Sequence, residues 1–403
     1  MHILPFFKRL LKELGSLRLS VFLLGFSVLL VFFGTLDQVR IGIRQAQDIY
    51  FESFIAIWRY PEFWPGGNFL RFIPVVLPGG YLIGPLLALN LVLAHARYWR
   101  PRWSIMGISF IHVGILMLLV GQLVTNIFQE EDYMWLDEGG KANFIRSFHE
   151  DEFYLTKQKE DGRLGVFSYD FKDLAKGAVL EPEIPGQPGL FPLQVRVREV
   201  FNNAEINQGG AVMGRETYGI TRGIGAQFNL GVKAIGSFNS DERRDIRTAV
   251  VDVLSEGEVV GTWLVSNVFE ERFPEQEFMI DGQTYQIGLR FKKTYLPYTI
   301  TLLEFNHDRY PGTNIPSNFS SRVRVEHAVN GDEKEVMIFM NNPLRYEGRT
   351  YYQASFAKQD TASMFQVVKN PGWLVPYIAC ILVSIGLCWQ FTVAGYRMTR
   401  RMK

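Results

Sequence analysis

Four stretches of the chain contain no Asp, Glu, Lys or Arg: Leu19–Leu36, Phe72–Ala96, Trp103–Gln129 and Asn370–Tyr396, of 18, 25, 27 and 27 residues. A bilayer core of about 30 Å is crossed by about 20 apolar residues in a helix. Each stretch therefore predicts a transmembrane helix. Between the first two, Ile43, Ala46, Tyr50, Phe54 and Ile57 recur at helical spacing, with Arg44, Gln47, Asp48 and Glu52 on other faces. Trp58, Phe63 and Trp64 follow. This pattern predicts an amphipathic helix over 40–58 lying at the outer interface and anchored by aromatics; packing of the same helix on a large domain is the alternative.

From Phe191 onward the period changes to two. Leu193, Val195, Val197 and Val200 alternate with polar residues, and Glu256-Gly257, Asp281-Gly282 and Asn330-Gly331 supply hairpin turns. The stretch Gly177–Pro192 is rich in Pro and Gly and reads as a loop. The expected fold is an α-helical membrane protein with four transmembrane helices and a large extracytoplasmic, antiparallel β-rich domain of sandwich or open-barrel type. Its parts are three N-terminal spans over 1–129, the β-rich domain over 130–369, and a fourth span with a basic tail over 370–403.

Charge sets the orientation. Lys8, Arg9, Lys12 and Arg18 precede span one; Arg97, Arg100 and Arg102 separate spans two and three; Arg397, Arg400, Arg401 and Lys403 follow span four. Four crossings put all three clusters on one side, the cytoplasmic one. Both termini are then inside and the β-rich domain outside. No small-residue cleavage site follows span one, which reads as a retained anchor. With 42 basic against 41 acidic residues the net charge is +1, which argues against a nucleic-acid partner.

Cys380 and Cys388 both lie in the last apolar stretch, and C-x-x-C is absent, which excludes a disulfide framework, a cysteine zinc site and covalent haem attachment to this chain. They read as small buried hydrophobes. His149, His307 and His327 show no metal-ligand spacing, and no catalytic constellation emerges. The outer domain looks built to bind or position something.

Span three holds one ionisable side chain, His112, and such a group inside a span marks a functional site by default. At 100° per residue, Ile105, Ile108, Leu116, Leu119 and Leu123 fall within about 40° of it, while Gly107, Gly114 and Gly121 form a stripe nearly opposite. The glycine face suits a close helix contact. The other face offers an imidazole among aliphatic side chains, which suits an axial ligand of haem iron with Leu116 and Leu119 packing on the macrocycle. The alternative is a histidine bonded to Ser109 or to a backbone carbonyl. His95, at the end of span two, reads as an interfacial histidine near a close helix contact, with ligation as its alternative. No second axial ligand is evident on a neighbouring span, so haem implies a partner.

The order of these features resembles the ResB (CcsB) family. The likeness is carried by Phe33-Gly34-Thr35-Leu36, Leu87-Ala88-Leu89-Asn90-Leu91 and His112-Val113-Gly114. It is strongest in Asn342-Pro343-Leu344-Arg345-Tyr346-Glu347-Gly348, followed by Tyr351-Tyr352-Gln353-Ala354-Ser355-Phe356; Asn370-Pro371-Gly372 then opens span four. The resemblance implies a system II cytochrome c maturation subunit of a bacterial cytoplasmic membrane, non-catalytic itself within a haem-transporting cytochrome c synthetase complex. It implies that haem b is carried outward and presented to apocytochrome c. The implied partners are a CcsA (ResC)-type protein bearing a WWD motif, and a thioredoxin-like thiol reductase. It makes His112 an intramembrane ligand to haem iron, paired with a partner histidine. No WWD motif occurs in this sequence, which points to the separate ResB-type subunit. For Tyr346, Tyr351, Tyr352, Gln353 and Ser355 the residues themselves suggest docking of the β domain onto the outer membrane face. Two further readings stay open: a membrane-anchored scaffold that never contacts haem, and an accessory subunit of another membrane redox complex.

Overall fold

The computed structural model describes residues 3–61, 64, 72–98, 102–159, 162–183, 189–209, 216–237, 244–309, 312, 316–357 and 361–402. Phe63, Arg100, Lys403 and part of the Gly177–Pro192 stretch lie outside them. The described chain divides into a helical unit, 3–129 with 370–402, and a β unit, 130–237 with 244–369.

The helical unit contains α1 (Ile3–Leu14), α2 (Leu17–Ile41), α3 (Gly80–Tyr98), α4 (Met106–Phe128) and α5 (Val375–Met402). Four segments are long and apolar enough to cross a membrane: Leu17–Ile41, Gly80–Arg97, Trp103–Phe128 and Val375–Arg400. Asn90 is buried in α3 and closes the break between α1 and α2. It donates to the carbonyls of Leu14 (2.6 Å) and Ser16 (3.0 Å) and accepts from the Ser20 hydroxyl at 2.6 Å. Inside an apolar bundle these bonds satisfy an amide that would otherwise be costly to bury.

Three sequence expectations change here. The helix predicted over 40–58 is helical only as Ile43–Ala46, continued by a π-turn at Gln47–Phe51. Ile55–Trp58 is instead a strand, β1, paired antiparallel with β2 (Val75–Pro78). Span two accordingly begins at Gly80, and the first part of its apolar window is that strand. A short apolar run fits a buried strand as well as a helix, and only pairing decides between them. Ala46 and Tyr50 are buried, but Ile43, Phe54 and Ile57 of the same predicted face are exposed. The Tyr50 hydroxyl donates to Asp37 at 2.6 Å, and Asp37 is bridged by Arg40 at 3.0 Å. Burial and the Asp37 hydrogen bond push the Tyr50 phenol well above its usual range. Cys380 and Cys388 are exposed on α5, where the sequence suggested burial.

In the β unit the strands are β3 (Glu130–Asp137), β4 (Lys141–Gln158), β5 (Leu164–Asp170), β6 (Val179–Leu180), β7 (Gln194–Phe201), β8 (Ala204–Gln208), β9 (Leu230–Ala234), β10 (Thr248–Ser255), β11 (Glu258–Ser266), β12 (Gln276–Ile280), β13 (Gln283–Arg309), β14 (Pro316–His327), β15 (Glu333–Phe339), β16 (Leu344–Tyr346), β17 (Arg349–Ala357) and β18 (Ala362–Lys369). Ten of them form one antiparallel sheet, ordered β15-β14-β13-β4-β3-β18-β17-β16, with β12 also on β13 and β5 also on β4. A second sheet, β11-β10-β7-β6, faces it.

The long strand β13 serves two cores. Its first half contributes Tyr285, Ile287 and Leu289 to a sandwich core with Val195, Val197, Val251, Val253 and Trp263. Its second half contributes Tyr298, Ile300 and Leu302 to a core enclosed where the ten-stranded sheet curls, with Val323, Val325, Tyr351 and Phe365. Sandwich and open barrel thus occur side by side along one strand. Two of the three predicted hairpin turns form as two-residue turns: Glu256-Gly257 joins β10 to β11 and Asp281-Gly282 joins β12 to β13, each pair at positive φ, whereas Asn330-Gly331 lies in the longer connection from β14 to β15 with only Gly331 at positive φ. Strands β3 to β5 went unread in the sequence because Asp151–Thr156 of β4 are buried on both faces and do not alternate. Two acids in that run are paired: Asp151 with Arg247 at 3.2 Å and Glu152 with Arg290 at 2.8 Å.

Candidate functional site

The glycine stripe of α4 is buried, and it fixes where His112 points. A Cβ on Gly107 would stand 2.6 Å from the Gly386 carbonyl oxygen, and one on Gly114 would stand 2.6 Å from Val383 and 2.8 Å from the Ala379 carbonyl oxygen. Only glycine permits α5 to approach so closely. With that face committed to α5, His112 is turned toward α3.

There it meets His95. The two ring centroids are 5.7 Å apart with planes at 73°, an edge-to-face contact. The rings, with Leu91, Val92, Ala96, Val113 and Leu116, line a cavity of about 250 Å³. Leu116 is where the sequence placed it; Leu119 is not among the lining residues. His112 Nδ1 is buried and has no hydrogen-bond partner among the described residues. No Ser109 bond to it is present, so the hydrogen-bonded alternative loses its specific partner.

The chemistry of this groove is a nitrogen lone pair aimed into aliphatic surroundings, which suits a flat, apolar ligand centred on a metal. Haem meets that description. The cavity is smaller than the roughly 300 Å³ at which small-molecule pockets begin. It is rimmed by the exposed Val92, Ala96 and Val113. The juxtaposition of His95 and His112 was not legible in the sequence. His95 lies one turn from the end of α3, whereas His112 lies about 13 Å along the helix from Trp103. Those distances do not reveal the stagger between the helices.

A second groove, of about 580 Å³, lies between the start of span three and the end of α5. Trp103 and Trp389 stack there at 5.0 Å and 13°, and the Trp389 indole N–H donates to the Trp103 carbonyl at 2.8 Å. Arg397 and Arg400 also line it. This is an aromatic and cationic girdle of the kind that anchors spans at a membrane interface.

In the β unit the signature residues build interior structure. Leu344–Tyr346 and Arg349–Ala357 form a hairpin whose turn, Glu347-Gly348, has positive φ at both positions. Tyr351 is fully buried, and its hydroxyl meets that of Tyr298 at 2.6 Å. Tyr346 packs edge-on against Tyr298 at 4.8 Å. Gln353 accepts from the Ser321 hydroxyl at 2.6 Å and donates to Ser363 at 2.7 Å. The membrane-docking role expected for Tyr351 and Gln353 is therefore replaced by a role in the domain's own core; Tyr352 remains exposed. His327 Nδ1 accepts the amides of Val329 and Asn330, both at 3.2 Å, and so orders the turn before β15.

A helical unit with four potential spans and a large antiparallel β unit define a membrane-anchored β protein. Within that class, residues 267–364 match the ResB-like family. The match bears out the likeness carried by Asn342–Gly348 and Tyr351–Phe356, which lie within it. Protein NrfI of Wolinella succinogenes is 33% identical over 95 residues, 24% of this chain. The match spans 10% of the length of that protein.

Proposed function

We propose that the chain is a membrane subunit of a cytochrome c biogenesis complex. It takes haem b into the bilayer at His112 and passes it outward for attachment to apocytochrome c. The observation that carries this reading is the buried, unsatisfied Nδ1 of His112 in an apolar groove between two potential spans. An intramembrane imidazole with no protein partner is expensive unless a ligand meets it. Haem contributes an iron centre that needs axial nitrogen. His112 ligates that iron, Leu116 and Val113 pack on the macrocycle, and the aliphatic lining excludes water. A CcsA (ResC)-type WWD subunit covers the open side of the groove, and a thioredoxin-like reductase keeps the apocytochrome cysteines reduced.

The basic clusters flanking the spans support a bacterial cytoplasmic membrane location with both termini in the cytoplasm and the β unit outside. In this arrangement the β unit positions haem or apocytochrome and carries out no chemistry of its own. Purification of the complex with His112→Ala tests the reading. Haem content should fall and cytochrome c maturation should fail; undiminished haem and normal maturation would refute it. One observation favours the scaffold alternative, since the ResB-like match lies wholly in the β unit. A scaffold keeps the complex assembled while its haem spectrum stays indifferent to His112.

A further inference from the structure

We infer that the groove between the start of span three and the end of α5 binds the headgroup of an anionic phospholipid, with Arg397 and Arg400 holding its phosphate. The inference goes beyond the haem reading and needs only that the four apolar helices cross a bilayer. It starts from how two helices pack. α4 and α5 run antiparallel: Gly121 meets Val375, Gly114 meets Ala379 and Val383, and Gly107 meets Gly386 and Gln390. Span three therefore begins level with Trp389, on which Trp103 stacks. From that level α5 continues to Met402, about 20 Å further at 1.5 Å per residue. Trp389, Thr392, Val393, Tyr396, Arg397 and Arg400 are spaced three and four apart, so they form one stripe of α5, and all of them line the groove.

The groove is graded from apolar to cationic. The stacked indoles form its apolar end and are fixed by the hydrogen bond from Trp389 to the Trp103 carbonyl at 2.8 Å. Arg397 follows about 12 Å along α5 and Arg400 about 16 Å. The Arg400 guanidinium lies 5.6 Å from the centre of the Tyr396 ring, which keeps it beside the groove. Both arginines are exposed, and no acid balances them locally: residues 72–129 carry Arg97, Arg100 and Arg102 without an Asp or Glu, and residues 370–403 carry Arg397, Arg400, Arg401 and Lys403 without one. A planar guanidinium matches a phosphate with two parallel hydrogen bonds. The volume of about 580 Å³ falls within the roughly 300–1,000 Å³ of small-ligand sites. Tryptophan and tyrosine settle at headgroup level, and basic pockets between spans on the cytoplasmic side take anionic lipid headgroups. The indole end suits the glycerol and first acyl carbons of a lipid, which a free phosphate or an acidic peptide lacks.

The test is native mass spectrometry of the full chain, delipidated in detergent and titrated with phosphatidylglycerol or with phosphatidylcholine, which shares the phosphodiester but carries no net charge. The wild type should take up phosphatidylglycerol well before phosphatidylcholine. Arg397→Gln combined with Arg400→Gln should weaken phosphatidylglycerol uptake roughly twentyfold, at about 1 kcal/mol for each arginine, and leave phosphatidylcholine uptake unchanged. Both positions are exposed at a helix end, so the variant keeps its fold. Lys8→Gln combined with Arg9→Gln removes the same charge from another basic cluster and should leave uptake unchanged. Equal losses in the two double variants would mean diffuse charge attraction and would overturn the site, as would equal uptake of the two lipids by the wild type. Displacement of the lipid by excess inorganic phosphate would assign the arginines to a free anion and overturn the lipid. Loss of a partner subunit from the purified complex, with lipid uptake intact in the arginine variant, would assign them to a protein contact and overturn it as well. Each of these readouts is independent of haem at His112.

Discussion

The hydroxyls of Tyr298 and Tyr351 meet at 2.6 Å inside the second β core, where the two residues are 1% and 0% exposed. Replacing Tyr351 with Phe keeps the ring and removes one oxygen, leaving the Tyr298 hydroxyl buried opposite a hydrogen-terminated carbon. A buried polar group deprived of its partner costs about 1–3 kcal/mol. The reverse substitution, Tyr298→Phe, strands the other hydroxyl at a similar cost. Replacing both removes the problem, because two phenyl rings of the same shape bury nothing unsatisfied. Each single variant should therefore lose about 2 kcal/mol, and the double variant about 1 kcal/mol or less, a coupling of roughly 3 kcal/mol or more. For a domain of this size, 1 kcal/mol moves the unfolding midpoint by about 2–4 °C, so the singles should drop by about 4–8 °C and the double should recover most of that. Thermal unfolding of the full chain in detergent, followed by the far-ultraviolet signal of the sheet, gives the four midpoints. Additive losses, with the double variant as weak as the two singles combined, would show that the hydroxyls do not depend on each other. Tyr351 would then need another explanation within the ResB-like stretch.

Gly114→Leu should destabilise the helical unit by about 1–3 kcal/mol, because its Cβ would collide with Val383 and with the Ala379 carbonyl, and a helix backbone cannot move aside cheaply. Gly25→Leu, whose Cβ has nothing within 4 Å, should be close to neutral in the same detergent unfolding assay; equal effects at both positions would refute the packing assignment. Burial holds the Asp132 carboxyl up at about 6, against the pull of Arg349 and with help from Glu130 and Glu150. The folded state then holds this proton more tightly than the unfolded chain does, so its contribution is full below pH about 4 and is lost as pH rises through about 6. Asp132→Asn removes that dependence. Its stability should gain on the wild type by something on the order of 1 kcal/mol between pH 4 and 7, the solvent-screened part of the shift, and a constant difference across that range would refute the assignment.

The four spans were legible in the sequence because a bilayer imposes length and charge exclusion on any segment that crosses it, whatever surrounds that segment. The glycine stripe was legible for a similar reason. Helical geometry alone sets Gly107, Gly114 and Gly121 opposite His112, and the packing of α5 on that stripe followed. The hairpin turns at Glu256-Gly257 and Asp281-Gly282 were readable because positive φ is a local demand that few residues meet. Where a property depended on something distant, the sequence was silent. Val75–Pro78 is as apolar as the span it precedes, and only Ile55–Trp58, across the hairpin, makes it a strand. Tyr351 reads as a strand aromatic until Tyr298, 53 positions away, receives its hydroxyl. His95 and His112 each sit at a known distance along a known helix, yet their contact arises from the stagger of α3 against α4. Sequence periodicity determines which way a residue faces on its own element, because backbone geometry is local. What it faces is decided by how the elements pack, and that depends on the summed fit of side chains drawn from the whole chain.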